Sequence, residues 1–149
     1  ATWCLCNLVR EKPSPALEHM VSAFEMVVAL LPGADQEVLE NLSFLLAFLT
    51  EKREIDDHII ASNITPCLVS FISEQNINNK IKSWTLRSCG NLLVSSPEIT
   101  QLMINCGIIT ALGDIIQQSN LHLVKDALWA LSSIASGDRA QVEALTNHA

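Results

Sequence analysis

The sequence predicts an all-α protein built as a right-handed solenoid of about three to four helical repeats, each about 42 residues long. Three observations favour this fold class. Apolar residues recur at intervals of three and four, Pro and Gly interrupt the apolar segments at regular places, and one short pattern returns with the repeat period. Alternating patterns typical of strands are nearly absent.

Two segments show the helical periodicity most clearly. The apolar positions are Leu39, Leu42, Leu45, Leu46 and Leu49 in one, and Val124, Leu128, Leu131, Ile134 and Ala135 in the other. Because a helix repeats every 3.6 residues, each set forms one apolar stripe. Both segments are therefore predicted to be amphipathic helices with one buried face.

Turns are predicted where Pro or Gly ends a helix, or where Asp can cap the next one. These places are Lys12–Pro15, Pro32–Asp35, Ile64–Pro66, Ser95–Pro97, Cys106–Gly107 and Ser136–Asp138. They divide the chain into a series of shorter and longer helical segments.

The repeat becomes visible when the segments are aligned. Four of them superimpose: Trp3–Leu8, Phe44–Leu49, Arg87–Leu92 and Trp129–Ile134. Their first residues stand 41, 43 and 42 positions apart, and a second landmark, Asn63, Gly107 and Ala149, recurs with steps of 44 and 42. Gly and Asn tolerate a left-handed backbone, so the second landmark predicts a sharp turn between two helices of each repeat.

Each repeat is predicted to hold a short first helix, a turn, a second helix and a longer third helix, as in Glu98–Cys106, Ile108–Gln118 and Leu121–Ser136. This length and plan resemble the armadillo repeat. The expected units are 16–50, 52–95 and 97–136, with a partial unit at 1–12 and the start of another at 138–149. Neighbouring units stack to bury their apolar faces, so the third helices are expected to line a concave groove.

Composition and charge exclude several classes of protein. The chain is 49% hydrophobic, which is too apolar for disorder, yet polar residues interrupt every apolar run before it reaches the length of a membrane span. Nine Lys and Arg against sixteen Asp and Glu give a net charge of −7, which opposes nucleic-acid binding and favours a basic partner. The chain begins without Met or a signal-peptide pattern, so we expect it to be part of a longer protein.

The five cysteines are Cys4, Cys6, Cys67, Cys89 and Cys106. An odd number of cysteines within apolar helical segments predicts reduced, buried thiols in a cytosolic or nuclear protein. No Cys-x-x-Cys pair, H-E-x-x-H motif or Gly-rich phosphate loop occurs, so we expect no metal site, no cofactor and no enzyme activity. A thiol-dependent enzyme is the alternative that one fast-reacting Cys would indicate.

Beyond the repeat length, the residues resemble importin-α (karyopherin-α), the adaptor family that recognises nuclear localisation signals. The likeness runs through the whole chain in order. Ala1–Pro15 resembles the third helix of the family's fourth repeat and the exit from it, and Phe44–Thr50 fills the fifth-repeat position. Leu86–Leu92, with an Arg in place of a Trp, resembles the sixth repeat. Val124–Trp129 and Ala135–Gly137 resemble the seventh repeat, and Thr146–Ala149 resembles the entry to the eighth.

The four-residue spacing within these segments has a physical meaning of its own. Residues i and i+4 share one helix face, so Trp3 and Asn7 point the same way, as do Arg87 and Asn91. An Asn amide carries a donor and an acceptor that can hold the backbone of an extended peptide. A Trp beside it offers a flat wall for a Lys stem and attracts the ammonium, worth roughly 0.5 to 2 kcal/mol per contact.

The resemblance implies two peptide-binding sites. Trp3 and Asn7 match the far edge of the family's major site, most of which the family carries in earlier repeats. The minor site, which binds a shorter basic cluster, is matched by Arg87, Asn91, Asp126 and Trp129, with Ser133 at the position of an Asn; the Leu93 carbonyl and Thr100 match the pocket for its key lysine.

Five positions depart from the family pattern. Ser133 replaces an Asn clamp, Phe44 and Phe48 replace Trp and Tyr, Asn41 replaces an acid, and Trp84 is unusual at its position. Minor-site binding is therefore expected to be weaker or altered, the lost Asn hydrogen bond alone being worth about 0.5–1.5 kcal/mol. Plainer interpretations also stand: an ion pair for Arg87, a solvated amide or cap for Asn7 and Asn91, and packing between helices for Trp3 and Trp129.

These residues imply a non-enzymatic receptor, located in cytoplasm and nucleus, that binds Lys/Arg-rich nuclear localisation signals of cargo proteins during nuclear import. The alternative is an armadillo scaffold that has lost peptide recognition and docks a folded protein, which Ser133, Phe44 and Phe48 favour. The family's basic autoinhibitory arm, which engages importin-β, has no counterpart in this sequence. Neither nucleic acid nor a membrane is an expected partner, whereas self-association through exposed solenoid ends is expected.

Overall fold

The described part of the computed structural model consists of Cys4, Asn7 and residues 15–147. The all-α prediction is confirmed, since residues 15–147 form α-helices joined by turns, without a strand. The helices are α1 (Leu17–Leu30), α2 (Gln36–Leu49), α3 (Asp56–Ser62), α4 (Thr65–Ser73), α5 (Asn79–Leu93), α6 (Pro97–Asn105), α7 (Ile108–Ile116), α8 (Leu121–Ala135) and α9 (Arg139–Asn147). A short 3-10 turn, Arg53–Ile55, leads into α3.

Three of the longer helices, α2, α5 and α8, pack side by side in chain order. Each follows a polar N-cap whose side chain accepts hydrogen bonds from the backbone N–H groups of the first turn: Asp35 from Val38, Asn78 from Ile81, and Asn120 from His122 and Leu123. These caps stand 43 and 42 positions apart. The repeat period therefore includes the residues that start each third helix.

The shorter helices form two bent pairs, α3 with α4 and α6 with α7. The bends lie at Asn63 (φ 52°) and Gly107 (φ 86°), both with left-handed backbone. The sequence predicts left-handed turns at these two residues, and the prediction is confirmed. Within each pair the second helix packs on the long helix that follows it, α4 on α5 and α7 on α8.

The segment 16–50 departs from the predicted three-helix plan. It holds two helices, because α1 runs without a break over 14 residues where the later units bend sharply. Val21 stands 42 positions before Asn63, and a β-branched side chain resists the left-handed backbone that such a bend requires. The chain therefore stays helical through this point.

The apolar stripes of neighbouring helices meet in one continuous core. Leu49, Leu92 and Ile134 occupy equivalent positions of α2, α5 and α8, and each is 0% exposed. Burying a side chain of this size contributes about 1.5–3 kcal/mol. The core thus holds the three long helices in a fixed register and leaves their opposite sides at the surface.

Within residues 15–147, no single helix is both long enough and apolar enough to cross a membrane. The pair α6 and α7 reaches that length and apolarity only when taken together, with a bend of 74° between its helices.

Candidate functional site

The exposed side of α2, α5 and α8, which we call the third-helix face, carries three rows of side chains. The rows are Asn41, Trp84 and Asp126; Phe44, Arg87 and Trp129; and Phe48, Asn91 and Ser133. Members of a row stand 43 and 42 positions apart, hence on equivalent turns of successive helices. All nine residues are at least partly exposed, so the predicted minor-site residues of α5 and α8 lie on one face.

Trp129 is 42% exposed and rests on Gly90 of the neighbouring helix. A Cβ atom placed on Gly90 would lie 1.8 Å from Cζ3 and 2.4 Å from Cε3 of the indole, so only glycine leaves room for the ring. Gly90 directly precedes Asn91 on α5. The indole is therefore a half-exposed wall beside the turn that carries Asn91 and does not belong to the buried core.

Arg87 forms the ion pair that its plainer interpretation predicts. Its Nη2 lies 3.3 Å from Oε1 of Glu51, and its guanidinium carbon lies 6.0 Å from the ring centre of Trp84. Both side chains of the pair are about half exposed, so the pair adds little to stability. Its main consequence is that the charge of Glu51 is neutralised on this part of the face.

Asn91 ties α5 to the C-terminal end of α2. Its Nδ2 donates hydrogen bonds to the carbonyl of Ala47 (3.0 Å) and to Oγ1 of Thr50 (3.2 Å). The two amide protons thus have acceptors inside the protein, while Oδ1 accepts no hydrogen bond from the residues described. The sequence predicts a clamp with a donor and an acceptor, and in the structure Oδ1 is the atom of the amide that has no partner among the described residues.

Phe44, Phe48 and Trp84 form an aromatic cluster at the junction of α2 and α5. The rings of Phe44 and Trp84 meet edge to face at 4.6 Å and 89°, and those of Phe44 and Phe48 lie 4.9 Å apart. The centres of Phe48 and Trp84 are separated by 6.5 Å. Three positions that depart from the family pattern therefore contact one another and make this part of the face apolar.

A pocket of about 510 Å³, which we call the hydroxyl pocket, opens where the C-terminal ends of α5 and α8 meet the first turns of α6 and α9. Its lining consists of Leu93, Val94, Ser95, Ser96, Pro97, Thr100, Ser132, Ser133, Ser136, Gly137, Asp138 and Gln141. Leu93, Thr100 and Ser133, which the sequence assigns to the minor site, are thus brought together. None of the lining residues is basic.

Six hydroxyl groups line this pocket, and five of them donate their protons to protein acceptors. Ser95 donates to Asp56, Ser132 and Ser133 to the carbonyl of Trp129 (2.7 and 3.1 Å), and Ser136 to that of Ser132 (2.8 Å). Thr100 shares its single proton between the carbonyls of Leu93 (3.1 Å) and Ser96 (3.0 Å). A hydroxyl whose proton is committed offers only its lone pairs. The pocket therefore presents mainly acceptors, which suits a donor-rich cation such as an ammonium or guanidinium group.

Besides Asp56, which accepts the Ser95 proton, two further carboxylates add negative charge to this region. Asp126 is half-buried one turn before Trp129, and no hydrogen bond or ion pair joins its carboxylate to the residues described. Asp138 lines the hydroxyl pocket and accepts a hydrogen bond from the backbone N–H of Gln141 at 3.0 Å. The sequence predicts Asp138 as a helix cap and does not assign it to the site. Its position just after a third helix is the feature that could have placed it there.

The predicted edge of the major site falls largely outside the described residues. Trp3 is not among them. Asn7 is helical and partly buried, and it interacts with other parts of the chain. The assignment of these two residues to a major site remains a prediction.

The described thiols do not share one environment. Cys89 is buried, Cys67 and Cys106 are partly buried, and Cys4 is exposed, so the expectation of buried thiols is wrong for Cys4. Burial raises the pKa of Cys67 and of Cys89. A raised thiol pKa lowers the fraction of nucleophilic thiolate at neutral pH, so neither of these two is activated.

The stacked units and the face formed by their third helices define an armadillo-repeat solenoid. A family model described as Armadillo/beta-catenin-like repeat matches residues 96–136. Among solved structures, a designed armadillo repeat protein in complex with peptide (KR)4 superimposes with a TM-score of 0.83, covering 98% of this chain and 61% of its own, at 20% identity. At that identity the likeness shows the fold alone.

Within this class, the sequence of the chain is similar to those of importin-α subunits. It is 28% identical over 149 residues to importin subunit alpha-1a of Oryza sativa subsp. japonica, covering 99% of this chain and 28% of the relative. To importin subunit alpha-4 of Arabidopsis thaliana it is 29% identical over 147 residues, covering 97% and 27%. The chain therefore spans less than a third of the length of these relatives.

Proposed function

We propose that the third-helix face binds extended Lys/Arg-rich peptides of the nuclear localisation signal type, as a non-enzymatic module of nuclear import acting in cytoplasm and nucleus. The observation that carries the proposal is the hydroxyl pocket, whose oxygens accept hydrogen bonds while most of its donors are committed elsewhere. The importin-α relatives and the (KR)4 peptide of the designed neighbour support it.

A lysine of such a peptide would use three parts of the face. Its aliphatic stem packs along the exposed ring of Trp129, and its ammonium reaches oxygen atoms around Thr100 and Ser133 in the pocket. Asp126 supplies a negative charge that no described residue neutralises. Oδ1 of Asn91 accepts an N–H group of the peptide backbone, which holds the chain without selecting its sequence.

Fluorescence anisotropy with a labelled (KR)4 peptide tests this proposal. We expect binding at micromolar or weaker dissociation constants that rise with salt, because exposed charges are screened. Trp129→Ala is expected to raise the Kd by roughly tenfold, because the lysine then loses both the cation–π contact of its ammonium and the packing of its aliphatic stem on the indole. An unchanged Kd in Trp129→Ala would reject this site.

A charge-matched pair separates site binding from attraction by net charge. Asp126→Asn and Asp114→Asn each change the formal net charge from −7 to −6, but Asp114 is exposed on α7, away from the third-helix face. Asp126→Asn is expected to weaken binding several-fold and Asp114→Asn to leave it unchanged. Equal effects would mean that the peptide follows net charge only. Absence of binding to the unaltered protein would favour the scaffold alternative, in which a folded partner docks.

A further inference from the structure

We infer that the aromatic cluster of Phe44, Phe48 and Trp84 is a second subsite of the third-helix face, which takes an aromatic or long aliphatic side chain of the bound peptide. This inference rests on the proposed function, because the same extended peptide would place a basic residue in the hydroxyl pocket. The ligand is thus a peptide of mixed character, basic at one end of the face and apolar at the other.

The cluster offers apolar surface of fixed shape. Its three rings hold one another by edge-to-face and tilted contacts at 4.6, 4.9 and 6.5 Å, and each remains partly exposed on the face. Rings that are already ordered by their neighbours lose little freedom when a ligand covers them. A side chain laid against Phe48 and Trp84 would therefore bury apolar area on both rings.

The carboxylates next to the cluster are already paired with cations. Oε1 of Glu51 lies 3.3 Å from Nη2 of Arg87, and Oε1 of Glu40 lies 3.2 Å from Nζ of Lys80. A lysine of the ligand placed at the cluster would compete with these cations. An apolar side chain meets no such competition.

Of the equivalent positions on α8, Trp129 is also aromatic, but Asp126 and Ser133 are polar. Asn41 on α2 and Trp84 on α5 stand in the row that ends at Asp126 on α8, so the acid of this row lies on the side of the hydroxyl pocket. Glu37 also lies on α2, but nearly two turns before Phe44. Charge on the face therefore favours a cation near α8 and an uncharged group near α2.

The dimensions of the helices set the spacing within the ligand. Along the axis of α5, Trp84 and Leu93 are separated by about 13 Å. The junction of α2 with α5 and the junction of α5 with α8 are about 10 Å apart, the usual distance between packed helices. The cluster and the hydroxyl pocket are separated by the diagonal of a rectangle with these two sides. An extended peptide, which advances about 3.3 Å per residue, covers this diagonal in about five residues. The ligand is thus expected to carry its basic and apolar residues about four to six positions apart.

Labelled peptides with one Lys-Arg pair and Phe, Ala or Lys placed five residues away, in both sequence orders, test the inference by anisotropy. The Phe peptide is expected to bind about tenfold more tightly than the Ala peptide in one order. Trp84→Ala and Phe48→Ala should remove this gain while leaving the Kd of the Ala peptide unchanged, which also shows that the variants are folded. Phe71→Leu, a partly buried aromatic position on α4, is the control that should keep the gain.

A second variant changes the preference instead of removing it. Trp84→Glu places a carboxylate in the row of Asp126 and is expected to make the Lys peptide the tightest ligand. If the unaltered protein binds the Phe and Ala peptides equally in both orders, or prefers Lys at this position, the subsite is rejected while the proposed function stands. If none of the basic peptides binds, the proposed function fails and this inference fails with it.

Discussion

Gly90 determines where the indole of Trp129 can lie. A glycine inside a helix costs roughly 1 kcal/mol relative to alanine, and Gly90 is an interior residue of α5 that is fully covered by its surroundings. The contact between its backbone and the indole explains this cost, because any side chain would occupy the volume of the ring. The wall proposed for a lysine stem is therefore positioned from the neighbouring helix.

Gly90→Ala is expected to displace the ring of Trp129 and to raise the Kd for a basic peptide by roughly fivefold to tenfold, through loss of the cation–ring contact. Fluorescence in a Trp3→Phe, Trp84→Phe background, where Trp129 is the remaining indole, measures the displacement as a change in emission maximum. The emission maximum reports the position of the ring, and the Kd reports peptide binding. A shifted emission maximum with an unchanged Kd would therefore exclude Trp129 from the site.

Gly113→Ala is the matched control for this substitution. Gly113 is an interior residue of α7, and a Cβ atom added there meets no other atom within 4 Å. The helix should gain about 0.5–1 kcal/mol from the better helix former. Peptide affinity and indole emission are expected to stay as they are in the unaltered protein.

At the scale of the helices, side-chain hydrogen bonds hold α5 at its C-terminal end, two of them to the preceding unit and one within its own unit. Asn91 reaches back to Ala47 and Thr50 after α2 has nearly ended, and Arg53 donates to the carbonyl of Val94 at 3.1 Å. Val94 lines the hydroxyl pocket, and Asn91 lies two residues before Leu93, which also lines it. The position of this end of α5 therefore depends on hydrogen bonds both between units and within one unit.

Asn91→Ala is expected to lower the free energy of unfolding by about 1–2 kcal/mol, since two hydrogen bonds are lost and the buried Thr50 loses a partner. Urea unfolding followed by circular dichroism measures this change. Asn79→Ala, at an exposed position of the same helix, should change stability by less than about 0.5 kcal/mol. Similar losses in both variants would contradict the role of Asn91 as a tie.

The three helices of unit 97–136 could be predicted from the sequence because their ends carry residues with strong backbone preferences. The expected bounds of α6, α7 and α8 differ from the observed ones by at most two residues. The unbroken α1 could not be predicted from the average repeat, because it results from the absence of a turn residue near Val21. A period shows where a bend belongs, but the local residue decides whether the bend forms.

At the scale of the whole molecule, the last long helix has an uncovered apolar side. Leu86 of α5 is 0% exposed, whereas Leu128, at the equivalent position of α8, is 52% exposed. Leu121, which lies two turns earlier on α8, is 82% exposed. Among the described residues no helix covers this side as α8 covers α5. In a solenoid such a side fits another helix of the same kind.

We therefore expect the protein to self-associate through this side of α8, with the apparent mass in sedimentation velocity rising with concentration. Leu128→Gln should reduce the association, because about half of the Leu128 side chain is available for burial. Leu30→Gln replaces a similarly exposed leucine, 44%, on α1 and should leave the association unchanged. A mass independent of concentration would contradict the expectation.

The candidate site could be predicted in part. Residues that share a helix face follow from their spacing, so the common faces of Arg87 with Asn91 and of Asp126 with Trp129 could be predicted without coordinates, while their assignment to a peptide site remains a prediction. The contacts between helices did not follow, because spacing does not tell which neighbour a side chain leans towards. Trp84 leans towards Phe44 and Phe48, and Trp129 leans towards Gly90; both relations depend on how two helices pack.

Hydrogen bonds between units join residues about one period apart, as in Gln141 to the carbonyl of Pro97 and Lys80 to Glu40. Because each unit of a solenoid contacts only its neighbours, small angular changes at successive junctions add together. The two ends of the face are thus less fixed relative to each other than two adjacent helices are. A ligand that spans all three long helices must fix the angles between the units. The conformational entropy that the protein loses in this way offsets part of the favourable enthalpy of binding.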